Sequence, residues 1–187
     1  MKKQVLLLMS AAFFVASCNK TNNDEISQSK TAAMATTAAK ATSSHGQPFS
    51  GSITYHFTPD YDLPCDCGTY YPAGNFYGTG NLTHLGLSSS RIKPCLSPIF
   101  SGADHVGDHV GVECASFVAA NGDELYLYTH PYDLMTSGPY GIGTCTVDFV
   151  GGTGRFTSAT GSFTGTVTVH AATGTATLTG ISGTINY

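Results

Sequence analysis

Tryptophan is absent from the 187 residues, and charge is scarce. The 8 Lys and Arg and 12 Asp and Glu make up 11% of the chain, against about 25% in an average soluble domain. The net charge is −4, but the shortage of cations is sharper than that figure suggests. From Phe49 onward only Arg91, Lys93 and Arg155 stand against ten acidic residues, Asp60 to Asp148. A nucleic-acid surface needs clustered Lys and Arg to displace counterions, so nucleic acid is excluded as a main partner. A P-loop, a dinucleotide fingerprint and a Gly-x-Ser-x-Gly elbow are all missing, and no cofactor is expected. A helical apolar period is also missing from Phe49 to Tyr187. Gly (22 residues), Ser and Thr fill the gap, and the length fits one domain.

Residues 1–17 read as an export leader. Lys2 and Lys3 precede a short apolar core, Val5 to Val15, broken only by Ser10. That core is too short to span a bilayer, which takes about 20 apolar residues. It closes with Val15-Ala16-Ser17-Cys18, which resembles the lipobox of bacterial lipoproteins. The resemblance implies that Cys18 opens the mature chain and carries a diacylglycerol and an N-acyl chain, anchoring it firmly to a membrane. An ordinary secretory leader with an incidental cysteine is the alternative. Asn19 stands where an aspartate resembles an inner-membrane retention cue, so the expected address is the cell envelope, at the outer membrane, with either face open. Residues 18–47 hold almost no large apolar side chain besides Ile26 and Met34. Such a stretch cannot offset its ordering entropy and is expected to be a flexible tether.

After Pro48 the pattern takes period two. Ile53, Tyr55 and Phe57 alternate with Thr54 and His56; Cys145, Val147 and Phe149 alternate with Thr144, Thr146 and Asp148; Phe163, Gly165, Val167 and Val169 alternate with Thr164, Thr166, Thr168 and His170. Each run is a strand with one buried and one wet face. In the last strand Ala176 and Leu178 are even while Ile181 and Ile185 are odd, so the parity flips at Gly180 and a β-bulge is expected there. Eight strands are predicted: 51–58, 75–80, 82–88, 110–118, 124–130, 144–150, 161–170 and 175–185. Turn residues at Asn121-Gly122, Gly151-Gly152 and 171–174 join them as hairpins. Residues 48–187 are therefore expected to form an all-β domain, a single closed antiparallel barrel of about eight strands, which leaves no exposed edge. A β-sandwich is the alternative.

Three segments carry a family resemblance. The run from Gly151 through Gly154, Arg155, Phe156 and Ala159 to Phe163 resembles the penultimate-strand signature of the allene oxide cyclase-like and dirigent-like β-barrels. The runs Gly78 to Gly86 and Phe117 to Leu125 are similar to motifs of uncharacterised bacterial members of that superfamily. The resemblance implies a barrel that either steers an apolar substrate through ring closure or orients reactants as a dirigent-like accessory, and it makes oligomers such as trimers a further expectation. The motifs speak for fold more than chemistry. Apart from any family, the glycines permit a tight excursion in which Phe156 and Ala159 plug one barrel end and Arg155 points outward.

Five cysteines follow Cys18: Cys65, Cys67, Cys95, Cys114 and Cys145. Export exposes them to oxidation, so disulfides are expected, and an odd count leaves one thiol over. One bridge is expected to join the Cys65-Asp66-Cys67 loop to the Pro-flanked Cys95. Cys114 and Cys145 share apolar parity and either meet inside the barrel or are core. A zinc site is the alternative, but Cys-x-Cys lacks the usual spacer. His105 and His109, in Asp104-His105-Val106-Gly107-Asp108-His109, are weak metal candidates. Gly107 opposes a helix, and the segment reads as a solvated loop; as a strand it would set the two rings about 13 Å apart by rise. Tyr55, His84, Glu113, Tyr126, Tyr128 and His130 are candidates for the barrel interior, with Glu113, Tyr126 and His130 as weak candidate catalytic groups. The expected role is non-catalytic: binding a small apolar ligand in the barrel mouth, or another envelope component. A cavity lined by Phe, Tyr and an ionisable residue would favour a cyclase or isomerase instead, and a barrel packed shut would favour a structural role.

Overall fold

A computed structural model of the chain describes residues 46–58, 67–68, 71–111 and 114–187. The leader, Cys18, the tether as far as residue 45, Cys65 and Glu113 lie outside the described residues. Among the described residues twelve strands, numbered in chain order, form one antiparallel sheet. Eight of them close a ring: β1 (Gln47–Thr58), β3 (Asn75–Leu82), β4 (Gly86–Lys93), β7 (Cys114–Val118), β8 (Glu124–Thr129), β10 (Tyr140–Gly152), β11 (Thr160–His170) and β12 (Thr175–Asn186). Around the ring the order is β10-β11-β12-β1-β3-β4-β7-β8, and the pairing of β8 back onto β10 completes it. The expected eight-stranded barrel is thus present, and the sandwich is not.

Inward residues alternate with outward ones along the ring strands, interrupted where the register shifts at bulges. Phe49, Phe117, Phe149 and Phe163 meet in one layer with ring centroids 4.9–6.5 Å apart. Phe156, Ala159, Leu82, Leu85 and Ile185 are buried in the same core. Phe156 ends a short 3-10 turn, Gly154–Phe156, in the β10–β11 connection. Beside it the Arg155 guanidinium lies over the Phe156 ring, 4.7 Å from its centroid, and donates to the His84 carbonyl. This end of the barrel is shut.

The parity flip at Gly180 is a bulge. Thr164 pairs with Ser182 but Thr166 with Thr179, so Gly180 and Ile181 together face Gly165. Gly180 has φ +61, and a Cβ on it would meet no atom within 4 Å. The backbone conformation alone therefore sets the cost of a side chain there. Gly180→Ala should lose about 1–2 kcal/mol, the left-handed penalty of an L-residue, read as a lower denaturation midpoint; an unchanged midpoint would refute the assignment.

Four further strands stand outside the ring: β2 (Tyr71–Pro72), β5 (Cys95–Ser101), β6 (Asp104–Val110) and β9 (Tyr132–Ser137). They form a wing in the order β9-β6-β5-β2, attached through β9 to β10. The 13-residue β10 makes the fork. Its first residues, Tyr140 to Ile142, pair with β9, and its later ones, Val147 to Gly152, pair with β8. Between them a Cβ on Gly143 would lie 2.3 Å from the Asp133 carbonyl oxygen, so only glycine lets the departing chain pass.

The wing corrects several expectations. The segment holding His105 and His109 is a strand, not a loop. The strand expected over 110–118 is instead the last residue of β6 and, from Cys114, a separate β7, so apolar parity does not carry across. The one expected over 82–88 contains a turn, in which His84 takes φ +67 and its Nε2 lies 2.9 Å from the Pro48 carbonyl oxygen.

Cys67 and Cys95 form a disulfide with Cα atoms 5.4 Å apart, tying the 67–68 segment to the start of β5. A closed loop of this size, sequence separation 28, is worth about 3–4 kcal/mol by the chain-entropy account. The double variant Cys67→Ala/Cys95→Ala should lose that amount in urea unfolding; a loss under about 1 kcal/mol would show that the loop is already ordered without the bridge. Cys114 faces outward and is also disulfide-bonded. Cys145 takes the second of its two expected places: it is a buried core thiol within the barrel, not in a disulfide, whose Sγ lies 3.6 Å from the Gly165 carbonyl oxygen. Cys114 and Cys145 therefore do not meet.

Candidate functional site

The fork leaves a space between the wing and the open end of the barrel. It is a chamber of about 540 Å³, within the range of cavities that take small organic ligands. Its floor is the barrel mouth: Phe76 of β3, Ile92 of β4, Val167 and Val169 of β11, and Ala176 of β12. The wing supplies the roof, with Leu96 of β5, His105 and Asp108 of β6, and Leu134 and Thr136 of β9. Tyr132 stands at the neck. It also lines a smaller cavity of about 50 Å³ inside the ring, which shares Ile92, Val167 and Ala176 with the chamber. Exposed lining residues mark the opening: His105 and Thr136 of the wing, the Gly138-Pro139-Tyr140 turn, and Ala171-Ala172 of the 3-10 turn Ala171–Thr173.

The local sequence explains the walls. Alternation sends the even residues Tyr132, Leu134 and Thr136 of β9 to the chamber side, and the odd residue Asp133 to the partner of His109. On β6 a bulge changes the parity. Ile99 pairs with Gly107 but Phe100 with His105, so Val106 is an extra residue. His105 and Asp108, three apart, consequently share the chamber face, and His105 Nε2 lies 3.1 Å from Asp108 Oδ1. An unbroken strand would have put His105 and His109 on the same face. The structure separates them: His105 belongs to the chamber, and His109 pairs with Asp133. Among the described residues no cluster of three His, Cys, Asp or Glu is suited to a metal.

The expected interior groups divide differently. Tyr55 does point inward, buried, and its hydroxyl donates to Ser90 Oγ at 3.2 Å. Tyr126 and Tyr128 point outward, because Leu125, Leu127 and Thr129 take the inward positions of β8. His130 lies on the surface with Nε2 2.8 Å from Asp148 Oδ2, and His84 sits at the shut end. Glu113 lies outside the described residues. Of the candidate catalytic and metal residues named from the sequence, His105 alone is among those lining the chamber; Asp108, which the sequence placed in the same polar segment, lies beside it, and Tyr132 and Tyr140 join it unforeseen. No protein-family model, no curated protein and no solved structure matches the chain. The chamber's own chemistry is apolar walls with one ionisable pair at the lip, the side chains of His105 and Asp108 being 48% and 29% exposed.

Proposed function

We propose that the protein is a lipid-anchored envelope protein that binds a small apolar ligand in the chamber between barrel mouth and wing, without transforming it. The chamber itself carries this reading. A void of about 540 Å³ walled by Phe, Ile, Val, Leu and Ala is costly to keep water-filled and favours an apolar occupant. The test is native mass spectrometry of the full chain purified from its own envelope. A retained small molecule, lost on blocking the chamber, supports the reading; an empty protein that also fails to take up an apolar fluorophore rejects it. The anchor is tested separately. Cys18→Ala should move the chain from the membrane fraction to the soluble envelope fraction, and unchanged fractionation would reject lipidation at Cys18.

A second reading, a cyclase or isomerase of the allene oxide cyclase-like kind, draws on one observation. The chamber holds Phe76, Tyr132 and Tyr140 together with His105 and Asp108, and such a pair can exchange protons with a bound substrate. Against it, the ring interior beyond the neck is packed with Phe, Leu and Val. If the retained molecule in wild type differs chemically from that in a His105→Ala variant, the enzymatic reading prevails; identical molecules favour binding alone.

A further inference from the structure

We infer that the chamber selects an apolar alcohol, a ligand whose single head group is a neutral hydroxyl, over the carboxylate of the same body. This rests on the chamber being the ligand site, and it follows from what the lip lacks and what it offers. From Phe49 onward the chain has three cations, and none lines the chamber. Arg91 donates to the Tyr77 hydroxyl at 3.2 Å and lies over that ring on the outer face of β3 and β4. Arg155 is at the shut end, against His84 and Phe156. Lys93 is buried with an interaction of its own and is not among the residues that line the chamber. A ligand carboxylate entering the chamber would shed water without a fixed positive partner and with the Asp108 carboxylate beside it, which is unfavourable twice over.

The lip offers acceptors. With a neutral imidazole, His105 Nε2–H donates to Asp108 Oδ1, so Nδ1 is left as an acceptor. Asp108 accepts at both oxygens and donates from neither. The Thr136, Tyr132 and Tyr140 hydroxyls can donate or accept and do not discriminate. A head group that donates therefore matches the pair, whereas an ether or ester oxygen finds no donor in the pair and has only the three hydroxyls to turn to. An ammonium would donate too, but it must be desolvated against apolar walls beside a carboxylate already engaged by His105. The half-exposed position of the pair suits a ligand whose body fills the chamber and whose head stays at the lip.

The test is displacement of N-phenylnaphthylamine from the full chain by four probes of equal chain length at about pH 8, where a fatty carboxylate is ionised. Dodecanol should compete at least about tenfold better than dodecanoate, methyl dodecyl ether or dodecylammonium, the scale of one hydrogen bond to a charged group. Any of those three matching dodecanol overturns the inference while leaving apolar binding intact. Failure of the fluorophore to bind at all overturns the binding reading instead. In Asp108→Ala, with folding read separately from the denaturation midpoint, the preference for dodecanol over its ether should fall to within about threefold; a preference that survives the substitution in the folded variant removes Asp108 from the recognition.

Discussion

Phe163→Ala is expected to lower the unfolding free energy by about 3–5 kcal/mol, the usual cost of truncating a buried phenylalanine to alanine. Phe163 is 2% exposed, and its ring packs against Phe49, Phe149 and Phe117 at 5.6, 5.6 and 6.1 Å. The loss combines removed apolar area with a void that neighbours on closed hydrogen-bonded strands cannot collapse to fill. Aromatic pairing adds about 0.5–1.5 kcal/mol beyond area alone. Since whole domains are stable by only about 5–15 kcal/mol, the effect should appear as a melting temperature lower by roughly 10 °C or more. Tyr126→Ala, on the outer face and 40% exposed, is the control and should change stability by under about 1 kcal/mol. Equal effects of the two would contradict the inward and outward assignment of these strands.

Gly141→Phe should abolish ligand binding while leaving the fold in place. Gly141 lies in β10, pairs with Val169 and Thr136, and lines the chamber. A Cβ there would sit 3.9 Å from the Cβ atoms of Leu134 and Val169, ordinary contact distance, so the backbone accepts a side chain. Those two neighbours are roof and floor, so a phenyl ring placed between them occupies the ligand's space. We expect uptake of an apolar fluorophore to weaken at least about tenfold, with the denaturation midpoint unchanged or raised as the ring becomes buried. A folded variant that binds as well as wild type would place the ligand elsewhere. This differs from Phe163→Ala, which lowers binding only as far as it lowers the folded population.

The barrel was legible because period two survives wherever one strand face is buried and the other wet. Phe163 to Val169 and Cys145 to Phe149 read correctly for that reason. Even the Gly180 bulge showed as a parity flip between Leu178 and Ile181. One disulfide was legible to within a choice between Cys65 and Cys67, since proline-flanked loops and an oxidising address narrow the partners. The wing was not legible. β5 contains Pro98, β2 is two residues ending in proline, and β6 carries Asp, His and Gly at positions that elsewhere signal a loop. Such residues are tolerated in short strands near a sheet edge, where few ladder bonds depend on them.

The all-β class, the inward set of most ring strands and the shortage of cations are readable along the chain, because each depends on residues within one strand or on composition. Tertiary structure alone decided that β10 serves two neighbours at once, and hence that a chamber exists. The passage of Asp133 across Gly143 is a contact between strands, and no local period encodes it. It also decided the lip. His105 and Asp108 meet because Val106 is an extra residue opposite β5, and a bulge is a property of two paired strands.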